Sequence, residues 1–287
     1  MSEMTRPILL ATDLGPAGEV AAQRAIDLAA ATGRPLIALH VLDLAGLPSA
    51  ARDVVAAIRE GAKSRLSAVV DQAVKRGVDA KGDLREGRAA REIVRGVKRW
   101  HAALVAVGPH APNPVGDLIV GTTMRRILQR VDCPVLVPQG KAKLPYGRAL
   151  AMTDFSEHSV AALYGALPWL GKGAEVQVLH AFGVADYPVA LPELGLGVEA
   201  IAALERLAAR QVKDFIDGIR SGSVRLLPRV EVGPAAAVAR AIAQADDVPL
   251  VIVGSRGQGR VAAAMLGSTA ERVLRVAGRD VLVVPTR

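Results

Sequence analysis

Val251-Ile252-Val253-Gly254-Ser255-Arg256-Gly257, then nine residues, then Gly267-Ser268-Thr269-Ala270-Glu271, is the stretch on which the fold turns. A short apolar run stops at a glycine, and a second glycine opens an amphipathic segment. That order reads as a strand, a loop at its carboxyl end and the start of a helix. The same step occurs earlier in the chain. Val105-Ala106-Val107-Gly108 matches the strand, and Gly121-Thr122-Thr123-Met124 matches the helix start, both 146 residues upstream. Working outward, Ala11-Thr12-Asp13-Leu14 returns as Met152-Thr153-Asp154-Phe155, and Leu39-His40-Val41 as Leu179-His180-Ala181. Val135-Leu136-Val137 returns as Val281-Leu282-Val283. The offset drifts from 141 and 140 to 146, which one insertion in the second copy explains, placed in the Pro- and Gly-bearing stretch Asp186–Gly197. A repeat this long is a whole domain, since solenoid units run about 20–50 residues.

The expected domains are therefore 1–140 and 146–287, joined by the short segment Lys141–Gly147. In each, continuously apolar runs alternate with helical spacing, as Ile201, Leu204, Ala208, Val212 and Phe215 show. The predicted second-half elements include a strand over Ala149–Thr153 and helices over Glu157–Leu170 and Ser268–Val276. Apolar strands alternating with helices imply an α/β fold, a parallel sheet covered on both faces. Aromatic residues make up 3% of the chain, so Ala, Val, Leu and Ile must fill the cores.

Composition narrows the function. The one cysteine, Cys133, excludes an intrachain disulfide and a multi-cysteine metal site, and it suits a reducing compartment. The first residues lack a signal-peptide pattern, and no run of 18 apolar residues is free of Gly, Pro or charge, so the expectation is a cytoplasmic protein without a membrane span. Lys and Arg exceed Asp and Glu by 21 to 14 in residues 1–143 and by 15 to 14 thereafter. Acids interleave with the bases, as in Arg85-Glu86-Gly87-Arg88-Ala89-Ala90-Arg91-Glu92, and no aromatic series accompanies them. That pattern favours a solvated surface over a nucleic-acid partner.

The chemistry gathers at strand ends. Asp13 and Asp154 follow the first strand of each half, His40 and His180 close the second, and Gly108 and Gly254 close the fourth. Open parallel sheets bind ligands there, at the point where strand order reverses. Glycines admit a close ligand, and the amide groups opening the last helix suit an anion. Each residue also has a plainer reading. Ser268-x-x-Glu271 is a capping box, Asp154 a turn residue, and the two histidines internal hydrogen-bond donors. No P-loop and no nucleophile elbow is present, and Gly257-x-Gly259-x-x-Ala262 lacks the context of a dinucleotide fingerprint.

The spacing Gly-x2-Gly-x9-Gly-Ser after a Val-Gly strand, with Thr-Asp-Phe-Ser and Leu-His upstream, resembles the universal stress protein family, once per half. The resemblance implies two tandem Rossmann-like domains related to the adenine nucleotide alpha hydrolases, each a five-stranded parallel sheet of order 3-2-1-4-5. It also implies ATP, accompanied by Mg held through the phosphates rather than by protein side chains. Met152, Thr153, Asp154 and the backbone at Ala181 would face the adenosine. Val253, Gly254, Gly257, Gly267, Ser268 and Thr269 would line the ribose and phosphates, with Arg256 adding charge. The first half keeps Thr12, Asp13, Val41, Gly108, Gly121, Thr122 and Thr123, but Ala111 replaces the second glycine, and Pro109, Pro112 and Pro114 remove loop donors. The second half is thus the expected nucleotide site and the first weak or empty. The family's pairing through last strands suggests an internal pseudo-dimer using Val135–Val137 and Val281–Val284, with further homo-oligomers open. No catalytic residue is assigned. A nucleotide-responsive binding module is preferred over a slow ATPase or nucleotidyl-transfer enzyme, and over a stress protein acting only through protein contacts.

Overall fold

The computed structural model describes residues 6–45, 52–109, 120–183, 198–257 and 266–285. Ala111, Pro112, Pro114, Gly259, Ala262 and the insertion Asp186–Gly197 lie outside them. The chain divides into two compact units, Met1–Gln139 and Gly140–Arg287.

The first unit runs β1 (Ile8–Thr12), α1 (Pro16–Thr32), β2 (Leu36–Leu42), α2 (Arg52–Lys75), β3 (Ala80–Glu86), α3 (Ala89–Trp100), β4 (Leu104–Val107), α4 (Thr122–Leu128) and β5 (Val135–Val137). Its sheet order is β3-β2-β1-β4-β5, with every pairing parallel. β1 is buried along its whole length, whereas no residue of β3, at the edge, is fully buried. Alanine makes the close packing possible: Ala21, Ala22, Ala25 and Ala29 form half of the buried residues of α1. Gly96 does the same for α3, since a Cβ there would stand 3.0 Å from Leu39 Cδ2. Pro16 opens α1, and Gly33 closes it at φ 64° while donating its N–H to Ala29 O.

The second unit repeats the plan with β6 (Tyr146–Met152), α5 (Glu157–Ala166), β7 (Leu170–Phe182), α6 (Val198–Asp217), β8 (Arg225–Val232), α7 (Ala235–Ala245), β9 (Leu250–Gly254), α8 (Ser268–Val276) and β10 (Asp280–Val284). Within it the order is β10-β9-β6-β7-β8, again parallel and again 3-2-1-4-5. Two expected boundaries are corrected. The helix predicted over Glu157–Leu170 ends at Ala166, because Pro168 cannot donate to the ladder and Leu167–Trp169 tightens into a 3-10 turn. The first strand starts at Tyr146 rather than Ala149. Tyr146 is anchored by its hydroxyl, which donates to Asp280 Oδ2 at 2.6 Å, and Asp280 Oδ1 also accepts the Gly140 N–H. Asp280 has no solvent exposure, so the hydrogen bonds are what make a buried carboxylate tolerable.

Cys133 is buried just before β5, and loss of hydration, helped by the Asp132 charge, pushes its thiol up to about 12. Native protein at pH 8 is expected to react with iodoacetamide on the order of 10³-fold more slowly than a free cysteine, which mass spectrometry of timed aliquots measures. Labelling at the free-thiol rate would mean that this end of the unit opens readily.

Candidate functional site

The order 3-2-1-4-5 makes the chain leave β6 in one direction for β7 and in the other for β9. The carboxyl ends of these strands therefore splay around a crevice. In the second unit that crevice is a cavity of about 310 Å³, within the range of small-molecule sites. Its floor and walls come from four places: Met152, Thr153 and Asp154 after β6, Ala181 in β7, Val253, Gly254, Arg256 and Gly257 at β9, and Gly267, Ser268 and Thr269 at the start of α8. Every residue assigned to this half from sequence lines the one cavity. Ser159, Leu179, Ala235 and Ala270 line it as well and were not singled out, and so does His180, which the sequence reading placed at the end of its strand. Ser159 carried a usable signal, a hydroxyl three residues after Ser156 at a helix start, whereas Ala235 and Ala270 carried none.

The aspartate is held rather than presented. Asp154 Oδ1 accepts from Ser156 N at 3.1 Å, Ser156 Oγ at 2.5 Å and Ser159 Oγ at 2.7 Å. Its turn role and its place in the cavity wall coexist. Oδ2 faces the glycine loop: a Cβ on Gly257 would lie 2.5 Å from it, so glycine is the residue that fits. Ser156 caps α5 by accepting the Ser159 N–H. Phe155, between them, adopts φ 66°, and its N–H donates to Thr153 Oγ1. Leu14 in the first unit does the same at φ 59°, donating to Thr12 Oγ1.

Both histidines serve internal bonds. His180 Nδ1 lies 3.0 Å from Thr153 O and His40 Nδ1 2.8 Å from Thr12 O, which places the proton on Nδ1 in each. His180 also stacks beneath Phe155, with ring centroids 4.3 Å apart, and Phe182 and Phe215 complete the cluster at about 6 Å. All three phenylalanines of the chain thus gather beside this cavity. Among the described residues, no group of three His, Cys, Asp or Glu side chains could hold a metal ion.

The capping-box reading of Ser268 is overturned. Gly267 is the N-cap of α8, with ψ 144°, and no side chain caps that end. Ser268 and Thr269 are instead the first helical residues, and both are exposed. The amides of that first turn have no partner within the helix, so an anion placed before them meets free donors and the positive end of the dipole.

The first unit brings together the counterparts but arranges them differently. Thr12 and Asp13 follow β1, Val41 lies in β2, Gly108 follows β4, and Gly121 caps α4 ahead of exposed Thr122 and Thr123. Gly15 and Gly18 stand where Ser156 and Ser159 do, so Asp13 Oδ1 receives one backbone N–H, from Gly15, and its side chain is exposed. A Cβ on Gly108 would lie 2.6 Å from Ala17 O, against a nearest approach of 3.1 Å at Gly254. The α1 amino end therefore crowds the crevice. The sequence reading located the erosion in the glycine loop; the loss of the aspartate's hydroxyl partners was missed.

Comparison with known proteins agrees with this fold. The universal stress protein family matches residues 4–138 and again 145–285. A universal stress protein of Mycolicibacterium smegmatis is 26% identical over 98% of this chain and 97% of its own length. One from Methanocaldococcus jannaschii is 26% identical over 46% of this chain and 81% of its own. The crystal structure of a universal stress protein from Archaeoglobus fulgidus shares the fold with a TM-score of 0.72, at 21% identity and 98% coverage of both chains.

Proposed function

Since the chain belongs to the universal stress protein family in both of its halves, we propose that it is a nucleotide-responsive binding module whose second unit takes ATP. The reading rests on one observation. Eleven residues spread from position 152 to position 269 converge on a single cavity that ends in the open first turn of α8. The apolar wall at Met152 and Ala181 suits a purine, and Arg256 with the Ser268 and Thr269 hydroxyls suits a polyphosphate. Magnesium fits only as a passenger on the phosphates, because the side chains around the cavity offer no ligand set. Binding is preferred to hydrolysis because the cavity's carboxylate, Asp154, is engaged through Oδ1 with Ser156 and Ser159.

Isothermal titration with MgATP and with GTP, followed by overnight incubation scored for ADP, tests the reading. One site per chain for ATP, weaker binding of GTP and no ADP beyond a protein-free control are expected. Absence of heat with ATP overturns the nucleotide assignment; steady ADP release replaces the binding module with an enzyme. Among the described residues no helix is long and apolar enough to cross a membrane.

A further inference from the structure

The two acids that interleave with bases over Arg85–Glu92 do not add to the outer face of α3 in the fold. Glu92 turns inward from α3 and is 8% exposed, bonded to Arg95 at 2.7 Å. Glu86 leaves toward α2, where Arg59 holds it at 2.6 Å. What remains outward on α3 is Arg88 at its N-cap, Arg91, Arg95 and Lys98, spaced by three or four residues, and Arg99 next to the last of them. At 100° per residue they fall within an arc of about 100°. α4 packs alongside α3 and adds Arg125, Arg126 and, just past its end, Arg130, all exposed. The fold itself does not require this. In the second unit the eight corresponding positions keep one cation, Arg272, and gain an acid, Glu271.

We propose that the α3–α4 face of the first unit is a docking surface for the phosphate backbone of a nucleic-acid duplex. Seven of the eight cations are arginines, whose planar forks match phosphate oxygens in pairs. None of the exposed large apolar side chains among the described residues lies on α3 or α4, so the face offers a lipid bilayer nothing to insert. Nor does it offer bases a stacking platform. Trp100, at the end of α3, donates its Nε1–H to Asp83 at 2.8 Å and lies under the Arg99 guanidinium at 5.6 Å. A face of fixed cations without aromatic or apolar projections reads phosphate and not sequence.

Fluorescence anisotropy with the full chain, a labelled 24-base-pair DNA and an RNA duplex of equal length tests this between 50 and 200 mM NaCl. Arg91→Gln/Lys98→Gln/Arg126→Gln/Arg130→Gln removes four charges while sparing the Glu92 and Trp100 partners. A control, Arg52→Gln/Lys63→Gln/Arg65→Gln/Lys75→Gln, removes four exposed charges from α2. We expect measurable duplex binding by the wild type with a steep salt slope. The face variant should lose at least about 100-fold at 50 mM, its slope falling by about three to four. The α2 control should stay within about threefold of wild type. Whether DNA or RNA binds more tightly identifies the source of the phosphates. No duplex binding at 50 mM, equal losses in both variants, or tighter binding to vesicles containing phosphatidylserine would each overturn the proposal. Circular dichroism melting of both variants confirms that they fold. The result is independent of the ATP reading, because every substituted residue lies in the first unit.

Discussion

Saturating ATP raises the melting temperature of the second unit by about 5–10 °C, and Ser268→Asp abolishes that rise while leaving the ligand-free protein as stable as wild type or slightly more so. Ligand at 100 times its dissociation constant contributes about 2.7 kcal/mol, and a unit of this size shifts about 2–4 °C per kcal/mol. The opposite signs come from one helix end. Gly267, not Ser268, caps α8, so the substitution removes no cap. An aspartate in the first turn favours the helix dipole by about 0.3–1 kcal/mol, yet puts a negative charge where the phosphates are placed. Differential scanning fluorimetry with and without 5 mM MgATP reads both effects. Gly257→Asp also removes the shift but lowers the ligand-free melting temperature, since its Cβ would meet Asp154 Oδ2 at 2.5 Å. Thr122→Asp, the matching change on α4, leaves the shift intact. If Thr122→Asp abolished it and Ser268→Asp did not, the nucleotide would belong to the first unit.

Asp154→Ala costs the second unit about 2–4 kcal/mol, whereas Asp13→Ala costs the first below about 1 kcal/mol. The difference is in the donors each carboxylate satisfies. Asp154 Oδ1 collects a backbone amide and two hydroxyls, and removing it strands Ser156 and Ser159 in a part-buried turn. Asp13 accepts one amide in the open. Urea unfolding monitored by tryptophan fluorescence suits this comparison, because Trp100 lies in the first unit and Trp169 in the second. Equal costs would show that the serine clamp contributes nothing to stability.

These residues also show what could be read before the structure. The alternation of apolar runs with helical spacing gave the parallel sheet, whose strand order carries Asp154, Ala181, Gly254 and Ser268 to one place although they are far apart in sequence. The resemblance to a family supplied the strand order itself, which spacing does not contain. The capping-box alternative for Ser268 fails because Ser-x-x-Glu reports a spacing and not a backbone angle; Gly267 holds the extended angle that makes a cap, and Ser268 lines the cavity. The charge pattern is silent about geometry for a related reason. Linear interleaving says nothing of helix phase, and Glu92 lies one step of about 100° from Arg91, on the side toward the sheet. The clamp on Asp154 involves neighbours within five residues, yet it depends on side-chain direction at a helix start, which composition does not fix.

The left-handed residue after each aspartate has a bearing on how the two copies diverged. Leu14 and Phe155 hold nearly the same positive φ, a posture that disfavours side chains with a Cβ by about 1–2 kcal/mol. Neither half has shed that cost, and both copies offset it with the same threonine hydroxyl. The bend is thus a shared way of launching a helix from a strand, kept in the half whose aspartate accepts one amide as well as in the half whose aspartate is clamped by two serines.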